Sequence, residues 1–227
     1  MKNRLLISFL LLSVIVGYCL IALPTQKSHM HPRYIKISAE GKPLKPWQGP
    51  WACVYDKEKQ LLWEIKTDNE SIHDGYWTYS WYQNQKGVAN FGDCYFESNR
   101  CDTADLLRHT NENGLCGVQT WRLPSSEELA SLVEPPSRPG NTHIAHDFFL
   151  HIQHGDYWSS EQTNKLSKHF NQFKEGAKSV NFHTGTSMTL PYRNAAFVML
   201  VSSVTDLPTS QVSGRETLIT TPKEINK

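Results

Sequence analysis

The chain has 227 residues, is 39% apolar and 20% charged, and carries a formal net charge of +1. Three of its 23 basic residues and none of its acidic ones lie in the first 27 positions, which leaves 20 basic against 22 acidic residues for the rest. A near-neutral body of about 200 residues is enough for one cored domain, and it excludes the electrostatic footprint of a nucleic-acid binder.

Residues 1–27 read as a signal peptide or an N-terminal membrane anchor. Lys2 and Arg4 form a positive end, and residues 5–23 contain no charge. Such a run is long enough to span a bilayer or to serve as a long export signal. Ala22-Leu23-Pro24 is a poor cleavage site, so an uncleaved anchor is favoured. The positive end then stays in the cytoplasm, and the remainder is expected to be exported and to face the periplasm. If the leader is cleaved, the protein is secreted or carried to the cell surface.

Residues 28–44 form an N-terminal strand region, in which "RYIKISAEGKPL" reads as a strand, a turn and a return. "WACVYD" and "LLWEIK", split by the charged "KEKQ", read as a β-hairpin. "YWTYSWYQ" is a further strand candidate. Cys53, Cys94, Cys101 and Cys116 are an even set in an exported domain, which points to two disulfides. Three pairings are possible. The short "CYFESNRC" loop favours Cys94 with Cys101, which leaves Cys53 for Cys116. A four-thiolate zinc site is disfavoured, because no C-x-x-C pair is present.

"DTADLLRHTNENG" predicts a short helix, capped by Asp102 or Thr103 and stopped at Gly114. In "WRLPSSEELASLV", Ser125 and Glu128 form a capping box, and the helix should run to about Val133, before Pro135-Pro136. His143, His146, His151 and His154 repeat as H-x-x-H twice. At about 100° per residue they share one face of a helix ending at Gly155, with Ile144, Phe148, Phe149 and Ile152 mainly opposite. That spacing permits a zinc site, but it is also the pattern of a solvated face, and no metal or other cofactor is expected. "SVNFHTG" and "NAAFVMLVSS" read as late strands. Residues 205–227, rich in Thr and Ser and without aromatics, are expected to be disordered. Short strands with two or three short helices make an α+β domain.

Catalytic constellations are weak. Ser159-Ser160 lacks a G-x-S-x-G elbow, and His154 or His183 is a base by composition only. Glu127 and Glu128 diverge by about 100° on a helix and do not make an acid–base pair. Glu134-Pro135-Pro136 has no amide where a calcium-type sugar site would place one. No catalytic residue is expected.

"WACVYDKEKQLLWEIKTD", "TYSWY", "CDT", "NGLCG", "WRLPSSEEL", "YWSS" and "FVMLV", in this order, resemble the Lcl C-terminal domain family. The resemblance spans residues 45–204. Its signature positions are Trp51, Trp63, Glu64, Trp121, Arg122, Leu123, Pro124, Glu128, Tyr157 and Trp158. It implies a bacterial exported module with a compact fold similar to C-type lectins and formylglycine-generating enzymes: a small twisted antiparallel sheet with long loops. It also implies non-catalytic binding or adhesion, with a glycan or an envelope protein as partner, and the family's namesake binds sulfated glycosaminoglycans. The alternatives are a structural pilus- or envelope-associated subunit and, less favoured, an oxidoreductase of the formylglycine-generating type. Trp121 with Arg122 is a conceivable ligand platform, but core packing and an Arg122 pair with Glu128 or Glu64 is the favoured reading. Two departures stand out. Met199 and Ser202 replace the arginines of an ending similar to V-R-L-V-R, and Lys59-Gln60 replaces a Thr-Gly turn. The first weakens a polyanion-binding role.

Overall fold

A computed structural model describes residues 31–98 and 101–204. The leader at 1–27 and the tail at 205–227 lie outside the described residues. No described helix is long and apolar enough to cross a membrane. In chain order the elements are β1 (Tyr34–Ile37), β2 (Cys53–Asp56), β3 (Leu61–Glu64), β4 (Tyr82–Gln83), β5 (Lys86–Gly87), α1 (Thr103–Asn113), α2 (Ser126–Ala130), β6 (Asp156–Thr163), β7 (Gly176–Asn181), β8 (Thr186–Pro191) and β9 (Val201–Ser203). Short 3-10 turns follow α1 and β6. This is a small α+β domain.

One antiparallel sheet has the order β1-β2-β3-β9, and a second has the order β6-β7-β8. The first sheet lies between two apolar clusters. Ile37, Cys53, Leu62 and Leu200 join one cluster with Trp81, Trp121 and Trp158. Tyr34, Val54, Trp63 and Val201 join the other with Phe149, Tyr157 and Phe182. Successive strand residues point to opposite faces, so a strand covered on both faces is apolar at every position. That is why "LLWE" reads as a continuous run rather than an alternation. Tyr157 and Trp158 divide between the two clusters in the same way.

The β2–β3 hairpin forms locally. The Asp56 carboxylate accepts the Glu58 and Lys59 amides at 3.0 and 3.2 Å, closing the turn. Arg33 grips Asp56 from Nε and Nη2 and donates to the Ser131 carbonyl at 2.9 Å, which ties the hairpin to the end of α2. Cys53 is bonded to Cys116, and Cys94 to Cys101.

Both helices start in capping boxes. In α1, Asp102 accepts the Ala104 and Asp105 amides while Asp105 accepts the Asp102 amide, and left-handed Gly114 ends the helix. In α2, Ser125 and Glu128 do the same, but the helix stops at Ala130 and continues only as a turn to Leu132. The Ser131 hydroxyl bonds back to the Glu128 carbonyl at 2.7 Å there.

Three further expectations need correction. The histidine-bearing stretch 143–155 contains no helix. Apart from one turn, in which the Ala145 carbonyl accepts the Phe148 and Phe149 amides, its groups find other partners: the His143 amide the Phe182 carbonyl, the Phe148 carbonyl the Trp51 indole, and the Gln153 amide the Tyr157 hydroxyl. "YWTYSWYQ" is not one strand. It pairs piecemeal, Tyr79 with Ala196 and the Trp81 amide with the Tyr192 carbonyl, so that both rings enter the core. The last strand is only three residues long, because Ala196 and Phe197 make single bridges, to Tyr79 and Tyr157, before it starts, and β8 is absent from the sequence reading.

Gln60 ends the hairpin turn with φ +55°, where the family pattern has glycine. A left-handed backbone costs a residue with a Cβ roughly 1–2 kcal/mol, part of which glycine's extra chain entropy offsets. Gln60→Gly is therefore expected to raise stability by about 0.5–1 kcal/mol. Denaturant unfolding of the two proteins measures it; an unchanged or lower midpoint contradicts the strain.

Candidate functional site

The signature residues build the frame. Trp63 and Trp158 are fully buried, and the Trp158 indole donates to the Tyr79 carbonyl at 2.7 Å. Trp51 donates to Phe148 under the Lys36 ammonium. Trp121 donates to the carbonyls of Leu115 and Val118. Leu123 is in the core, and the Pro124 carbonyl accepts the Ser160 amide. Arg122 meets Glu128 with both arms, at 2.8 and 2.7 Å. The Arg122 hydrogen bond holds the Glu128 carboxyl below its ordinary range. That carboxylate also accepts the Ser125 amide, so one side chain caps the helix and fixes the arginine.

Glu64 is the one charged signature position that is wholly enclosed. Its Oε1 faces Lys66 Nζ at 2.8 Å and His73 Nδ1 at 2.7 Å, and its Oε2 accepts the Leu200 amide at 2.9 Å. Burial opposes the charge by desolvation, but Lys66 and His73 outweigh it and hold the carboxyl down at about 2.

The four nominated histidines separate. His146 Nε2 contacts Thr142, and His151 lies 3.9 Å from Asp68. His143 sits by Gly185. His154 meets His183, which the H-x-x-H pattern did not include, at 2.9 Å between Nδ1 atoms. Among the described residues, no three histidine, cysteine or acidic side chains gather as ligands. Ser159 is buried and donates to the Lys178 carbonyl, and so has no base. Its neighbour Ser160 is exposed.

A cleft of about 570 Å³ opens where the second sheet meets the β4–β5 hairpin. Gln85, Lys86 and Gly87 line one wall, Gln162, Thr163 and Asn164 another, with Glu175 and Tyr192 completing it. The hairpin turn is Asn84-Gln85, both at positive φ, the geometry that matches strand twist in a two-residue turn. Gly87 is required, because a Cβ there would stand 2.1 Å from the Trp81 carbonyl oxygen. The Tyr192 ring stacks on Trp81 at 4.8 Å, and burial, then Glu175, push its phenol up, so it remains a donor at neutral pH. The lining thus offers amides, two hydroxyls (Thr163 and Tyr192), one ammonium and one carboxylate. Elsewhere Trp47, Tyr76 and Tyr95 are exposed, Tyr95 standing edge-on to Trp77 at 4.9 Å. The cleft residues come from four separate segments. The sequence reading named none of them; the turn-like Asn84-Gln85-Lys86-Gly87 is a signal that could have marked the hairpin.

The family pattern of the Lcl C-terminal domain matches residues 52–202. The chain belongs to the Lcl C-terminal domain family. No curated protein and no solved structure matches it. In this Lcl C-terminal domain, both positions that depart from the family's terminal arginines are buried: Met199 packs in the second cluster, and Ser202 hydrogen-bonds Thr120. Neither contributes to a charged surface.

The Glu64 network sets an acid response. The folded pKa lies below the roughly 4.3 of an unfolded glutamate, so on acidification the unfolded chain takes up the proton first. The contribution is whole above about pH 4.5 and is lost as pH falls towards 2. Glu64→Gln, which leaves Lys66 buried without its carboxylate, is expected to cost about 3–5 kcal/mol and to flatten that slope. Chemical unfolding from pH 2 to 6 tests both; a parallel slope in the variant would place the acid sensitivity elsewhere.

Proposed function

We propose that the domain is a non-catalytic, exported lectin-like module that binds a glycan in the cleft between the β4–β5 hairpin and the second sheet. The cleft's mixture of amide, hydroxyl, carboxylate and ammonium groups carries this reading. Sugar hydroxyls both donate and accept, and such side chains can meet them in pairs. Lys86 and Glu175 balance, which favours an uncharged sugar over a sulfated one. The buried Met199 and Ser202 and the near-neutral chain support the same choice. All four described cysteines are in disulfides, which supports binding over an oxidoreductase that needs reactive thiols. Two disulfides also suit an oxidising, exported setting.

A structural role in an envelope assembly is the second reading. The exposed Trp47, Tyr76 and Tyr95 favour it, because aromatic side chains are enriched in protein interfaces.

A neutral-glycan array followed by calorimetry separates the two. Gln162→Ala and Glu175→Ala are each expected to weaken glycan binding about tenfold, the equivalent of about 1.4 kcal/mol, while Tyr95→Ala leaves it unchanged. If no glycan binds, and Tyr95→Ala or Trp47→Ala instead abolishes capture of envelope proteins, the assembly reading replaces the first.

A further inference from the structure

His154 and His183 lie 29 residues apart, and their Nδ1 atoms meet at 2.9 Å on the exposed end of the second sheet. The backbone beneath them is clamped. His154 precedes Gly155, whose carbonyl accepts the Phe182 amide at 3.1 Å, and Asp156 pairs with Asn181. His183 sits in the β7–β8 turn, where Asn181 Oδ1 accepts the amides of His183 and Thr184 at 2.9 and 3.1 Å. The Asn181 carbonyl accepts the Gly185 amide at 2.8 Å. Ladder bonds and an Asx turn thus hold both Cα atoms, and only the two rings need to move.

We propose that His154 and His183 form a two-histidine site for a divalent late transition metal, copper(II) before nickel(II) or zinc(II). Two imidazole nitrogens bound at about 2.0–2.1 Å and at right angles to each other stand roughly 2.9 Å apart; at a tetrahedral angle they stand roughly 3.3 Å apart. The spacing on this surface matches the right-angled bite, which square-planar and tetragonal ions prefer. Imidazole also suits copper(II), the tightest binder of the divalent series at such ligands. The rings meet at 61° in a direct Nδ1–Nδ1 hydrogen bond, and the broad χ2 of histidine leaves each ring the rotation that a shared ion requires. In the neutral pair one Nδ1 carries the proton and the other accepts it. Moving that proton to the Nε2 of its own ring frees both Nδ1 atoms, with no net loss of charge or proton. Water completes the coordination.

The test is calorimetric titration of the full-length, tag-free chain with copper(II) alone, followed by electron paramagnetic resonance. His29→Ala/His31→Ala is used as the background, because the sequence H-M-H can itself hold copper. In that background one equivalent of copper is expected, with a tetragonal signal and coupling to two nitrogens. His154→Ala and His183→Ala should each weaken it at least about tenfold, while His146→Ala and His151→Ala leave it unchanged. Both rings of the pair are exposed, so thermal melts are expected to coincide, and binding loss without a shift in the melt is the supporting result. No copper bound by the background chain, or copper retained in His154→Ala/His183→Ala, overturns the proposal.

Discussion

A carboxylate in the middle of a protein must be paired, because an isolated buried charge costs far more than any one contact returns. Glu64 meets that demand with three donors drawn from three parts of the chain: Lys66 from its own strand end, His73 from the following loop, and the Leu200 amide from the far C-terminal segment. Its own amide donates to the Leu200 carbonyl at 3.0 Å, so the pairing is reciprocal. The last segment of the domain is thereby threaded beside β3. Everything packed on either side of that segment depends on this register.

From this follows the two-cluster design. Residues 198–201 alternate between the clusters just as β3 does, Val198 and Leu200 on one side and Met199 and Val201 on the other. The sheet is an internal wall rather than an outer layer. Tryptophans supply much of the filling, and Trp81, Trp121 and Trp158 each place an indole N–H on a backbone carbonyl. The polar cleft and the His154–His183 pair both lie at the edges of this cross-bonded frame.

Local chemistry was readable, and of the non-local contacts the Cys53–Cys116 disulfide was legible because the short Cys94–Cys101 loop left no other partners. Asp102 with Asp105 and Ser125 with Glu128 announce their helices, because a cap needs only residues three apart. The β2–β3 hairpin was legible for a similar reason. The histidine stretch misled because H-x-x-H spacing describes a helix only if the backbone bonds to itself. Here that happens for one turn only, at the Ala145 carbonyl; other groups bond to Phe182, Trp51 and Tyr157, and His151 adopts φ +54° against Gly75. Tertiary partners outweighed a periodicity that rested on residues of modest helix propensity.

By itself the sequence determined the family, the α+β class, both capped helices, the first hairpin and an even set of cysteines. Each of these is written in neighbouring residues or in their count. The tertiary structure decided the two-sided burial of β3, the pairing of Glu64 with Leu200, the cleft and the meeting of His154 with His183. These join residues tens of positions apart, and a distance of that kind has no local pattern until the strands have paired.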